Sequence, residues 1–146
     1  INFEIKRRGL SKIIKLLGYK KNPYSYIKIS DLFILSSKFE GLPNVLMETM
    51  ALKKFIISSD CPTGPSEILE NGKLGYLFKV SNPIQLAQKI KKYNKERNKL
   101  NKIINNAYLS LERFNFEKSC FKYYKIVNKY INDENFKKLY QKNYIR

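Results

Sequence analysis

Apolar residues in the first half of the chain fall into short unbroken runs rather than alternating with polar ones. "DLFILSS" (31–37), "KFIISS" (54–59) and "GYLF" (75–78) have the length and continuity of strands buried on both faces. "KIIKLLGY" (12–19) has the same character and is expected to form a further strand ending at Gly18. The segments between them carry helix signals. Residues 3–9 read as a helix end closed by Gly9, and 22–30 as an Asn-Pro turn with a short helix. "PNVLMETMALKK" (43–54) places Leu46, Met47, Met50 and Ala51 on one stripe, with Pro43 suited to the first helical position. Residues 60–71 read as a loop and short helix ended by Asn71 and Gly72. Beyond Pro83 the pattern is helical, over 97–112, 116–131 and 134–142.

Strands alternating with helices predict an α/β domain with a parallel sheet covered on both faces. In such sheets, ligands bind beyond the carboxyl ends of the strands. Two loops lie there. One holds Glu40, Gly41, Leu42 and Pro43, and the other runs from Asp60 through Cys61 and Gly64 to Pro65. Gly41 lets backbone amides approach a ligand closely. A helix starting near Pro43 directs free N–H groups and a positive dipole end at the same spot, which suits a phosphate. Glu48, inside that helix, has two acceptor oxygens that match a vicinal diol such as a ribose. Glu40, before the helix, reaches a separate hydroxyl-bearing group. One acid for a ribose, one for a sugar and a helix end for phosphates together point to a nucleotide-sugar. Taken alone, the spacing is weak: two glutamates eight positions apart arise by chance, and a solvated helix charge is the plainer reading of Glu48.

Composition narrows the classes. A chain of 146 residues with 43% hydrophobic content supports one domain with a real core. No apolar run reaches the ~18 residues that span a bilayer, and the first residues lack a signal-peptide layout. Histidine is absent, and Cys61 and Cys120 lack metal-ligand spacing. No metal or cofactor is therefore expected, and an intracellular, reducing setting is the default. The net charge of +17 invites a nucleic-acid reading, but only five of the 29 basic residues are arginine and no nucleic-acid-binding motif is present. A nucleic-acid partner is not expected. The charge is uneven, at net +11 over residues 82–146 and +6 over 1–81, which favours an anionic membrane surface or is a solvated face.

The wider string "SSKFEGLPNVLMETMALKKFIISSDCPTGPSEIL" closely resembles the signature of family 4 glycosyltransferases, the retaining GT-B enzymes also called glycosyl transferases group 1. The resemblance extends upstream through "LLGYKKNPYSYIKISD" and downstream through "NGKLGYLF", and fades after Leu86; "RFNFEKSCFKYYKIV" resembles the family's closing helix. It implies the Rossmann-like, donor-binding C-terminal half of a two-domain GT-B fold. Residues 1–131 would be a partial C-terminal domain and 132–146 a helical or disordered basic tail. The resemblance further implies that Glu48 holds the donor ribose. Glu40, the catalytic candidate, would contact the donor sugar near the reacting carbon. Gly41, Leu42, Asn44 and Val45 would line the sugar and diphosphate. The donor would be a nucleotide-diphosphate sugar used without a metal, the acceptor a glycan or lipid-linked glycan, and the setting cytoplasmic, peripheral at the inner face of the membrane.

The chain also departs from the pattern. It begins downstream of the arginine and lysine that grip the diphosphate in the family, and Lys6, Arg7 and Arg8 match no motif. The acceptor domain is absent too, so this stretch alone is expected to be inactive and its closing helix to lack a partner. Plainer readings apply elsewhere. Asp60 and Cys61 end a strand, Gly64 and Pro65 start a helix, and Glu67 is a first-turn acid. Tyr24 and Tyr26 are core aromatics in preference to base stackers, and Phe39 packs beside Glu40. The alternative reading of the whole chain is a noncatalytic basic module binding a membrane surface or protein partner through residues 82–146.

Overall fold

The computed structural model describes residues 1–132. Three parallel strands form its sheet: β1 (Leu32–Leu35), β2 (Phe55–Asp60) and β3 (Tyr76–Lys79), in the order β1-β2-β3. Leu32 stands opposite Phe55, and Ile57 opposite Tyr76. Seven helices accompany them among the described residues. These are α1 (Asn2–Arg7), α2 (Tyr24–Ile29), α3 (Asn44–Ala51), α4 (Pro65–Ile68), α5 (Pro83–Glu96), α6 (Asn101–Ser110) and α7 (Phe116–Ile131). The expected helix over 134–142, and the tail beyond residue 132, lie outside the described residues.

β2 is the central strand, and its alternation divides the core. Ile56 faces a cluster with Leu46 and Met50 of α3, Ile68 and Leu69 around α4, and Ala107 of α6. Phe55 and Ile57 face the other way, against Tyr76, Phe78, Tyr93 of α5 and Leu100. Both faces are thus covered, which is why β2 reads as a continuous apolar run. α5 starts where Pro83 supplies a helical φ without needing an N–H partner, and Asn82 caps it by accepting from the Gln85 amide at 2.9 Å.

Several expectations change. Residues 12–19 form no strand: Ile13, Leu16 and Leu17 stand exposed, and β1 pairs only with β2 among the described residues. An apolar run becomes a strand only when its amides and carbonyls find a ladder partner. β1 is accordingly a half-buried edge strand, not a fully buried one. Pro43 is the residue before α3, with extended backbone (φ −70°, ψ 97°), rather than its first helical residue. The buried stripe of α3 runs through Leu46, Thr49 and Met50, while Ala51 is exposed. Thr49 tolerates burial because its hydroxyl donates to the Val45 carbonyl at 2.6 Å.

α7 closes the described chain. Lys118, Lys122, Lys125 and Lys129 recur at helical spacing on one face, and Phe116, Cys120, Tyr123 and Val127 repeat the same spacing on the other. No residue of α7 is buried; Phe116, Phe121, Tyr124, Ile126 and Val127 are all at least half exposed.

Candidate ligand site at the carboxyl ends of the strands

Two loops meet at the carboxyl ends of β1 and β2, and hydrogen bonds lock them together. The Ser37 carbonyl accepts from the Ser59 hydroxyl at 2.6 Å and from the Cys61 thiol at 3.1 Å. Ser59 and Cys61 are buried, so both bonds lie in low dielectric, where polar groups need partners. Farther along, the Thr63 hydroxyl donates to the Glu40 carbonyl at 2.5 Å. Cys61 is therefore a packed, hydrogen-bonded residue just past the strand end, and Asp60 is the exposed last residue of β2.

The closest approach is at Gly64. Its backbone has φ 90° and ψ −68°, a region that side chains rarely adopt, and a Cβ built there would collide with the Gly41 carbonyl. A Cβ there would also come within 2.6 Å of Pro43 Cδ. Gly64 does start α4, as its sequence position indicates, but its glycine identity is required by the loop opposite. Gly41 differs: a Cβ there would meet no protein atom within 4 Å. Packing does not demand glycine at 41, and its flank is open space.

From this anchored loop the chain enters α3. No side chain caps the helix. The amides of Asn44 and Val45 are its first two and have no carbonyl a turn earlier within the helix to bond. They point from the same end as the dipole's positive pole. Leu46 and Met50, fully buried, hold the helix in place. Glu48 lies four residues beyond Asn44, one turn along the same face. It is half-buried, and one of its oxygens, Oε1, accepts from the Tyr24 hydroxyl at 3.3 Å. Glu40 is also half-buried, and its carboxylate has no hydrogen bond or ion pair among the described residues. A carboxylate left without a partner is free to accept from hydroxyls.

The candidates Glu40, Gly41 and Leu42 thus share one rigid loop, and Asn44, Val45 and Glu48 share the helix that follows it. Beside them, a cavity of about 490 Å³ opens at the carboxyl ends of the strands, lined by Lys38, Phe39, Asp60, Pro62 and Lys79. Two cations therefore stand on this rim. Phe39 is 81% exposed here and is not a packing residue. Tyr24 and Tyr26 are 46% and 40% exposed, so neither is a core aromatic. Sequence reasoning missed the pairing of Tyr24 with Glu48 and the anchoring role of Thr63; no local pattern in the chain signals either. Among the described residues, no cluster of three or more cysteine and acidic side chains is placed to hold a metal ion, and no helix is long and apolar enough to cross a membrane.

Known proteins resemble this chain in sequence and fold. The family profile described as glycosyl transferases group 1 matches residues 1–110. An uncharacterized glycosyltransferase of Methanocaldococcus jannaschii is 46% identical over 65 residues, covering 44% of this chain and 16% of that protein. The N-acetylgalactosamine-N,N'-diacetylbacillosaminyl-diphospho-undecaprenol 4-alpha-N-acetylgalactosaminyltransferase of Campylobacter jejuni is 33% identical over 87 residues, covering 60% of this chain and 24% of that protein. Among solved structures, Anabaena HepE in complex with UDP superimposes with a TM-score of 0.79 at 23% identity, over 88% of this chain and 35% of that one. The chain therefore spans little more than a third, at most, of the length of these proteins.

Proposed function

This chain belongs to the glycosyl transferases group 1 family, and on that premise we propose that it binds the nucleotide-sugar donor of a glycosyltransferase. Its parallel sheet with flanking helices is the Rossmann-like fold of a GT-B carboxyl-terminal domain. The observation that carries the proposal is the loop clamp. Thr63 and Gly64 fix the backbone at Glu40 and Gly41, so the amides opening α3 and the backbone that carries the Glu40 side chain are held in place before any ligand arrives. Preorganised donors and acceptors of this kind are what a charged, hydroxyl-rich ligand needs.

In this reading Glu48 accepts from the ribose hydroxyls. The amides of Gly41, Leu42, Asn44 and Val45 line the sugar and diphosphate, with Lys38 and Lys79 adding positive charge on the rim. Glu40 accepts from hydroxyls of the sugar near the reacting carbon, where charge develops as the bond to phosphate breaks. The diphosphate is neutralised by amides and cations, without a metal. The transferred group is a hexose-type sugar and configuration is retained. The UDP bound by the Anabaena protein supports a nucleotide-linked donor; the acceptor is a glycan or lipid-linked glycan, a choice supported by the lipid-linked substrate named for the Campylobacter enzyme. The work takes place in the cytoplasm, peripheral to the membrane. Residues 1–131 form the donor-binding unit and 132–146 a basic tail. Transfer itself belongs to a longer protein whose acceptor domain covers α7, and the stretch 1–146 alone binds donor without turning it over.

Glu48→Gln in the full-length protein tests the central assignment. Donor binding measured by calorimetry should weaken by about 1.5–3 kcal/mol, the worth of a hydrogen bond to a charged group. Unchanged affinity in a folded variant would remove Glu48 from the site and the reading with it.

A further inference from the structure

Tyr24 is the first residue of α2, and its position is set locally. Its amide donates to the Asn22 side-chain oxygen at 3.1 Å, and the Ser25 hydroxyl donates to the Asn22 carbonyl at 3.4 Å. Pro23, with φ −76°, stiffens the turn between them. This Asn-Pro turn presents the phenol away from the core: Tyr24 is 46% exposed, while Ile27, one turn on, is buried and anchors the helix. The phenol nevertheless has a partner. It donates to Glu48 Oε1, 24 residues later in the chain, and this is the one side-chain hydrogen bond joining α2 to α3 among the described residues.

The chemistry of that contact is specific. An ionised carboxylate only accepts, and a long glutamate side chain on a helix surface has several rotamers of similar energy. A phenol donating to one oxygen selects among them. It also leaves the second oxygen, Oε2, without a partner in the described residues and available to another donor. We infer that Tyr24 is a positioning residue of the nucleotide site: it holds Glu48 in the rotamer that offers Oε2 to a ribose hydroxyl, and so sharpens discrimination for a ribonucleoside diphosphate. The inference rests on the assignment of Glu48 to the ribose, and goes beyond it by naming what orients the carboxylate.

The test uses the full-length protein, with UDP and 2′,3′-dideoxy-UDP as probes in calorimetric titrations. Tyr24→Phe keeps the ring and removes only the hydroxyl. It should weaken UDP about threefold to tenfold, the range for losing one hydrogen bond, and should narrow the preference for UDP over the dideoxy probe. In a Glu48→Ala background the same change should have no further effect, because the group being positioned is gone. The ratio of the two probes is measured within each variant, so a partly unfolded sample does not distort it. Wild-type affinity in Tyr24→Phe, with Glu48→Ala impaired, overturns the positioning role and leaves the ribose assignment standing. An equal loss from Tyr24→Phe with and without Glu48 also overturns it, since Tyr24 would then act on the ligand independently. Full probe discrimination retained in Glu48→Ala overturns the ribose assignment and this inference together.

Discussion

Replacing Gly64 with alanine tests whether the two loops at the carboxyl ends act as one clamp. The perturbation is a single methyl group, but the backbone it enters has φ 90° and ψ −68°, where a side chain is strained by about 1–3 kcal/mol. The methyl also meets the Gly41 carbonyl and lies 2.6 Å from Pro43 Cδ, neither of which is the free end of a flexible side chain. Overpacking of that kind adds about 1–3 kcal/mol. The expected loss is therefore about 2–6 kcal/mol, a large fraction of the roughly 5–15 kcal/mol that holds a domain folded. If the fold survives, it does so by moving the loop at residues 40–43 away, and donor binding should fall with it. Chemical denaturation gives the stability, and titration with UDP gives the affinity. Gly41→Ala is the control. It meets no protein atom within 4 Å, so stability should change by no more than about 0.5 kcal/mol, as for open surface sites. Affinity should still drop, because the methyl enters the space assigned to the ligand. A Gly64→Ala protein that loses less than about 1 kcal/mol and binds UDP normally would refute the clamp.

Other perturbations probe the rest of the domain. The Arg113 guanidinium donates to the Ile68 carbonyl at 2.9 Å and the Glu67 carbonyl at 3.4 Å, and pairs with Glu70 at 3.5 Å, so it satisfies the C-terminal end of α4. Arg113→Ala should cost about 1–3 kcal/mol, and lysine, a point charge, should not restore it in thermal unfolding. Burial, with the Glu96 carboxylate accepting from its hydroxyl at 2.6 Å, holds the Tyr76 phenol well above the ordinary tyrosine range. The folded state then keeps a proton that the unfolded chain releases near pH 10, so this contribution is complete below that pH and is lost as pH rises beyond it. Tyr76→Phe should flatten the fall in stability above pH 10, measured against wild type in the same buffers. The lysine face of α7 and the net charge of +11 over residues 82–146 should produce weak binding to anionic vesicles that high salt abolishes; equal sedimentation with neutral vesicles would count against it.

Elements whose stability is local, or whose both faces are buried, could be read from the chain. β2 announces itself in the unbroken apolar run Phe55, Ile56 and Ile57, because no face of a central strand meets water. α5 is legible from Asn82 and Pro83, since a cap and a fixed φ act within one turn. The Glu40 to Glu48 stretch is legible as a loop entering a helix from its glycine and proline followed by the apolar stripe of Leu46 and Met50, although no side chain caps α3. What residues 12–19 become was not legible: their composition suits a strand, but a strand is a property of a pair, and they form no ladder with β1, which pairs only with β2 among the described residues. The exposures of Phe39, Tyr24 and Tyr26 were misread because hydrophobicity alone says nothing of which aromatic a given fold covers. The tertiary structure alone decided the contacts that bring these residues together. Thr63 reaches Glu40 across 23 positions, and Tyr24 reaches Glu48 across 24. Gly64 is shaped by a carbonyl from the neighbouring loop. Such pairs carry no periodic signal, because chain-distant groups meet only after parallel strands have brought their carboxyl ends to one edge.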